Sequence, residues 1–235
     1  MMQISIKRDS LFEKFEVDLA DATLLEVLSY IKTNLDPSLS FSSGCRSSVC
    51  GSCSMRVNGR EVLACSYKLQ DGDSIEPLTN MPIIRDLVVN MDRAYSFNAK
   101  AKAWLTKNKE QTLLNHEDEK VNELQSDCIL CGSCYSACPV YAVNEEFLGP
   151  FALTRVWKYV SDTREAGEEA KINTIQANGV WDCTLCNECT LVCPQNISSK
   201  ADIEKLRMKS VQYGFMDPNL ASFGGGFGFD GSPSF

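Results

Sequence analysis

The cysteines are the residues in this chain most able to do chemistry. Twelve occur in 235 residues, and all fall into three tight sets. The first is Cys45, Cys50, Cys53 and Cys65, spaced C-x4-C-x2-C with a distant fourth member. Cys128, Cys131, Cys134 and Cys138 form the second, and Cys183, Cys186, Cys189 and Cys193 the third. Both of these read C-x2-C-x2-C-x3-C-P. Such spacings let a short loop wrap a compact anionic iron-sulfur body and offer it several thiolates at once. Three sets in order imply one-electron transfer through three clusters.

Two other chemistries use many cysteines. Disulfide-dense domains are small and secreted, whereas this chain is 44% apolar and long enough to bury two ordinary cores. Its opening, Met1 to Lys7, lacks a basic region followed by an apolar stretch, so no secretory signal is expected. Structural zinc also uses C-x2-C pairs, but it takes two pairs per ion and does not need the Pro139 and Pro194 that end the two runs. Iron-sulfur ligation accounts for the pattern better than either.

These loops need elements to position them. Ile4 and Ile6 alternate with Ser5 and Lys7 in a first strand, and Phe12, Phe15 and Val17 mark a second. Thr23 with Glu26 forms a capping box ahead of Leu24, Leu25, Leu28 and Ile31 at helical spacing. Ser54–Val57 and Glu61–Ala64 are joined by Asn58-Gly59, a hairpin turn. Asp71-Gly72 turns the chain into a strand over Ser74–Leu78. Gly44, Ser47, Ser48, Gly51 and Ser52 crowd the first three cysteines, where small residues let backbone N–H groups approach sulfur. From about residue 80 the pattern becomes helical. Met81-Pro82 opens a stretch with Ile84, Leu87, Val88 and Met91 on one face, and helices follow over Leu153–Tyr159, towards Lys171 and over Ala201–Lys209. The tail from Gly214 carries five Phe among Gly, Asp, Ser and Pro and cannot build a core by itself. Its Phe residues suggest docking along a partner.

Composition removes several functions. A net charge of -8 argues against a nucleic-acid surface. No apolar run approaches a membrane-spanning length. No acid/base pair or nucleophile stands out, and no Gly-x-Gly-x-x-Gly opens a helix after a strand, so nucleotide binding is unsupported. His116, the one histidine, sits in a polar stretch from Lys107 to Glu123 and reads as a solvated surface residue.

Taken together, Cys45-Arg46, Cys50-Gly51-Ser52-Cys53 and Cys65, then Cys128 to Cys134, Cys138-Pro139, Leu148-Gly149-Pro150 with Leu153 and Arg155, and Cys193-Pro194 resemble the iron-sulfur subunits of succinate dehydrogenases and fumarate reductases. The likeness runs over roughly residues 1 to 210. It implies an α+β chain with a β-grasp, plant-type 2Fe-2S ferredoxin domain over 1–95. An all-α, bacterial-type two-cluster ferredoxin domain over 96–213 and a tail over 214–235 would follow. A plant-type site would use Cys45, Cys50, Cys53 and Cys65 for 2Fe-2S. In two-cluster ferredoxins the fourth cysteine of each run ligates the other cluster. Cys128, Cys131, Cys134 and Cys193 would then hold one 4Fe-4S cluster, and Cys138, Cys183 and Cys189 the third.

Cys186 departs from the familiar members, which lack cysteine at that position and hold 3Fe-4S there. Here a fourth thiolate allows a second 4Fe-4S cluster, with 3Fe-4S beside a free Cys186 as the alternative. A second departure lies at Val140-Tyr141-Ala142-Val143 and Thr184, where quinone-linked members resemble one another in carrying Trp or His. The resemblance implies an FAD-containing flavoprotein partner and a third, anchoring subunit. Because of these departures that subunit is expected to be cysteine-rich, with quinone reached only indirectly. Placement at the membrane through partners is expected on the cytoplasmic side, or on the periplasmic side by co-export. A free-standing multi-cluster ferredoxin, or the iron-sulfur subunit of another flavin dehydrogenase such as one for glycolate, would share the same wiring.

Overall fold

The computed structural model describes residues 1–106, 108–109 and 113–221. Seven strands come first: β1 (Met2–Arg8), β2 (Leu11–Val17), β3 (Ser54–Val57), β4 (Arg60–Leu63), β5 (Ser74–Glu76), β6 (Ile83–Arg85) and β7 (Val88–Val89). α1 (Leu24–Asn34) falls between β2 and β3. After β7 the described chain is helical: α2 (Asp92–Lys100), α3 (His116–Lys120), α4 (Glu123–Ser126), α5 (Ser133–Ser136), α6 (Pro139–Val143), α7 (Pro150–Val160), α8 (Glu168–Thr174), α9 (Glu188–Leu191), α10 (Ser199–Gln212) and α11 (Pro218–Ala221).

The first five strands make one sheet in the order β2-β1-β5-β3-β4. β1 pairs in parallel with β5 and antiparallel with β2, so the chain must cross over between them, and α1 covers the sheet. This is the β-grasp arrangement. The expected capping box forms: Thr23 Oγ1 accepts from Glu26 N–H, and the Glu26 carboxylate accepts from Thr23 N–H at 2.7 Å. Leu24, Leu25, Val27, Leu28 and Ile31 then pack on Ile4, Ile6, Met55, Val57 and Ile75. Asn58 and Gly59 both take the positive φ that the β3–β4 turn demands.

A second core lies among the helices. Phe97, Tyr135, Tyr141, Phe147, Phe151, Leu153, Val156, Ile203 and Leu206 are buried within it. Tyr135 is its hub, edge-on to Tyr141 at 4.6 Å and tilted against Phe151 at 4.3 Å. α7 and α10 pack on one another and frame the cysteine loops.

The helix expected over 82–91 does not form. Ile83–Arg85 and Val88–Val89 pair as a short hairpin instead. Asp86 sits at its turn with φ +48 and is almost fully buried. Its carboxylate accepts from Arg8 Nε at 3.0 Å and from Ser40 N–H at 2.8 Å, contacts that a continuous helix would break. Leu87 joins the first core while Ile84 is exposed, so the apolar spacing had no single face to serve. Leu153–Tyr159 lies within α7 and Ala201–Lys209 within α10, while the charged run towards Lys171 is helical only from Glu168, in α8. Of the tail, Phe215 packs against the helical core. The remaining four Phe lie at 223–235, outside the described residues.

Candidate functional site: three cysteine sets

The first loop bends around its own sulfurs. Cys45 Sγ accepts from the N–H of Ser47 and of Val49, both at 3.3 Å, and Cys50 Sγ accepts from Cys45 N–H at 3.3 Å. Ser52 Oγ lies 3.1 Å from Cys50 Sγ, and Ser48 Oγ 3.6 Å from Cys65 Sγ. Arg46, Ser48 and Gly51 take positive φ, which turns these N–H groups inward. Gly44 has no room for a side chain, since a Cβ there would stand 2.9 Å from Cys50 Sγ. The Ser52 hydroxyl, then Cys45 N–H, bring the Cys50 thiol down to about 6. Burial pushes Cys53 up to about 11. An anionic sulfur cluster would meet donors on its open side and an apolar wall behind.

The second and third loops are near copies. Leu130 and Gly132 have φ +53 and +82, and the matching Leu185 and Asn187 have +56 and +75. In each the second left-handed residue precedes one helical turn, α5 or α9, that carries the third cysteine. These two turns pack together. Cys138 caps α6 by accepting from Tyr141 N–H at 3.4 Å, and Pro139 takes the first helical position, where no N–H is needed.

The two runs exchange their last cysteines. One chamber is lined by Cys128, Cys131, Cys134 and Cys193, together with Phe151, Thr154, Pro194 and Ile197. A second is lined by Cys138, Cys183, Cys186 and Cys189, with Val140, Phe147, Leu185 and Ile203. Cys186 shares this second cavity while remaining exposed on its outer side. The twelve thiols are free of disulfides. Four sulfurs around a chamber suit a polynuclear body.

Burial pushes the thiols of Cys128, Cys134, Cys138, Cys183 and Cys193 up, and Cys189 to about 12. Burial favours the neutral thiols, and a coordinated thiol is deprotonated by the metal's charge. Arg155 draws Cys128 back towards the thiolate, and Arg207 does the same for Cys183, whose carbonyl it also binds at 2.5 Å.

Comparison with known proteins sorts the two halves. Residues 3–96 match a 2Fe-2S iron-sulfur cluster binding domain, and residues 124–197 match a 4Fe-4S dicluster domain. The fumarate reductase iron-sulfur subunit of Mycobacterium tuberculosis is 36% identical over 227 residues, covering 92% of each chain. That of Haemophilus influenzae is 37% identical over 211 residues, 81% of this chain and 82% of its own. The chain belongs to the iron-sulfur subunits of fumarate reductases and succinate dehydrogenases. As a member it is an electron-transfer subunit carrying 2Fe-2S and 4Fe-4S clusters. A mitochondrial succinate dehydrogenase iron-sulfur subunit of Arabidopsis thaliana is 33% identical over 213 residues. The fold matches a chain of the Mycobacterium smegmatis Sdh1 complex in the apo form, with TM-score 0.80 over 90% of this chain and 96% of that one, at 21% identity. Relatives of this kind are parts of multi-subunit oxidoreductases, and no helix among the described residues is long and apolar enough to cross a membrane.

Several residues that matter to this iron-sulfur subunit carried no signal in sequence. Ser136 donates to the buried Glu61 carboxylate at 2.7 Å, and Thr79 bonds both the hydroxyl and the carbonyl of Ser136. Asn80 Nδ2 donates to the carbonyls of Tyr135, Ser136 and Cys138, closing the open end of α5. These contacts span 55 to 75 residues and lock the dicluster half onto the sheet. Tyr141, in the segment where relatives were expected to carry Trp, is buried in the core and its hydroxyl accepts from Arg93 Nε at 2.7 Å.

Proposed function

We propose that this chain passes single electrons along three clusters inside a succinate- or fumarate-converting complex. It would connect an FAD-bearing flavoprotein with a quinone-reactive or membrane-associated subunit, all substrate chemistry lying on the flavoprotein. The units are the 2Fe-2S domain over 1–95 and the helical domain over 96–213. Cys45, Cys50, Cys53 and Cys65 hold 2Fe-2S. Cys128, Cys131, Cys134 and Cys193 hold the first 4Fe-4S cluster, and Cys138, Cys183, Cys186 and Cys189 the second. Each cluster supplies a one-electron couple whose potential depends on cluster type, net charge, hydrogen bonds to sulfur and exposure. The chain sets those variables through the N–H groups on Cys45 and Cys50, the apolar walls of both cavities, and the exposed edge at Cys186.

The observation that carries this reading is the placing of Cys186 in one chamber with Cys138, Cys183 and Cys189. A fourth thiolate there favours a full cube with a lower potential than a three-iron centre. The exposed Thr184 and buried Tyr141 leave this end without the aromatic and imidazole groups expected beside a quinone. Electrons would therefore leave for a protein partner, which the reading takes to be a cysteine-rich third subunit.

EPR of the complex purified with its native partners tests the assignment. Oxidised wild-type protein should lack a 3Fe-4S signal, and Cys186→Val should acquire one with the iron content otherwise kept. A strong three-iron signal in fresh wild-type protein would remove Cys186 from the ligand set. Isolation as a stable three-cluster monomer without a flavoprotein would favour a free-standing carrier.

A further inference from the structure

The loop that carries the first cysteine set lies directly against a cysteine of the second. Gly51 sits between Cys50 and Cys53 with φ +70, and a Cβ on it would fall 2.7 Å from Cys131 Cβ, 2.8 Å from Cys131 Cα and 2.9 Å from Ile129 O. Two of those three atoms are backbone, so they cannot swing aside as the end of a flexible side chain would. Cys131 and Ile129 pack against the first core, although Cys131 also lines the cavity formed with Cys128, Cys134 and Cys193. The same loop is held from a second direction. Gln195, two residues beyond Cys193 and itself lining that cavity, donates from Nε2 to Ser48 O at 3.0 Å across 147 residues of chain.

We propose that Gly51 and Gln195 are positioning residues for electron transfer: together they hold the first cluster's loop in contact with Cys131 and so set the coupling between the first and second clusters. The proposal rests on the ligand assignment above. One electron crosses this contact per step, with no bond made or broken and no proton required. Coupling between two redox centres decays steeply with separation, so a spacer of one methyl group at the point of contact acts on the rate directly. Glycine at 51 meets two demands at once, a left-handed backbone and zero side-chain thickness. A serine or alanine could be accommodated in the first alone, at a modest cost in strain.

Gly72 separates these demands. It has φ +83 in the same domain, but a Cβ there would meet nothing within 4 Å among the described residues. Gly72→Ala thus reproduces the backbone strain without the spacer. The experiment compares wild type, Gly51→Ala, Gly72→Ala and Gln195→Ala in the complex with its native partners. Iron content, the spin–spin broadening between reduced first and second clusters, and freeze-quench EPR of their filling after a reductant pulse are read for each. Gly51→Ala and Gln195→Ala should keep both signals at wild-type iron content, lose part of the broadening, and slow the exchange several-fold, while Gly72→Ala matches wild type. The idea fails if Gly51→Ala and Gly72→Ala give the same broadening and rate, or if Gln195→Ala exchanges as fast as wild type. Should Gly51→Ala lose iron, Gln195→Ala decides the matter, because it leaves the loop's backbone unstrained. Wild-type protein lacking either signal would instead refute the ligand assignment.

Discussion

Lys171 and Glu165 form an ion pair with both side chains wholly shielded from water, Nζ to Oε2 at 3.0 Å. Lys171 Nζ also donates to Lys102 O at 3.1 Å, Trp104 O at 2.5 Å and Thr106 Oγ1 at 3.2 Å. The pair thereby fastens the segment after α2 to α8. Lys171→Met keeps most of the aliphatic volume and removes the charge. Stranding one member of a buried pair costs about 3 to 5 kcal/mol. Glu165 would retain Thr106 N–H, the Thr106 hydroxyl and Gly167 N–H, which places that cost near the low end. Two carbonyls also lose their donor, at about 1 kcal/mol each, so the sum is about 5 kcal/mol. For a chain of this size each kcal/mol is worth about 2 to 4 °C, giving a fall of about 10 to 20 °C. Cluster loss makes unfolding irreversible, so the assay is the temperature at which cluster absorbance disappears, at one fixed scan rate for all variants. pH adds a sign. Burial works to raise Glu165, but the bonds from Thr106, Lys171 and Gly167 outweigh it and hold the carboxyl below its usual range. Its contribution in wild type is therefore present above the unfolded carboxylate range and is lost as pH falls. Without Lys171 burial gains ground and favours the protonated form, so the deficit should narrow on acidification. Lys171→Met with Glu165→Gln should recover part of the loss. A single variant melting within about 3 °C of wild type would refute this account of the pair.

Asp202 makes a contrasting case, being buried with Oδ1 accepting from Gln125 Nε2 at 2.8 Å and Oδ2 without a hydrogen bond among the described residues. Burial raises it to about 6 against the opposing pull of Gln125 and Lys205. A carboxyl whose folded value lies above its unfolded one destabilises the fold once ionised, so Asp202→Asn should raise the melting temperature at about pH 8, by up to about 3 kcal/mol, with the gain fading towards about pH 4. A gain that grows on acidification would contradict this. Gly149→Ala should be costly, because a Cβ there would lie 2.2 Å from the Tyr135 ring at φ +82. Overpacking of about 1 to 3 kcal/mol plus strain would displace α5, which carries Cys134; lowered iron per chain by colorimetric assay, with the 2Fe-2S signal intact, is the expected result.

How far the site could be read from sequence depends on how local its causes are. The Thr23–Glu26 box and the Asn58-Gly59 turn are decided within a few residues and form as expected, whereas the second and third cysteine runs are regrouped in space: Cys193 lines the chamber of Cys128, Cys131 and Cys134, and Cys138 that of Cys183, Cys186 and Cys189. Leu130 and Leu185 show the limit of local reasoning, because leucine gives no hint of a left-handed backbone, yet both adopt it where the chain turns about a cysteine chamber. The segment 82–91 failed for a different reason. Its apolar spacing does suit a helix, and what defeats it is Asp86 held by Arg8, 78 residues away. Gly51 combines both cases: its place in the cysteine loop was plain, but the need for a bare Cα arises from Cys131, in the other half of the molecule. Spacing marks the short cysteine runs, while the regrouping of Cys138 and Cys193 and the contacts of Gly51 with Cys131 and Gln195 with Ser48 arise between distant segments. Electron flow depends on both, and only the first is written locally.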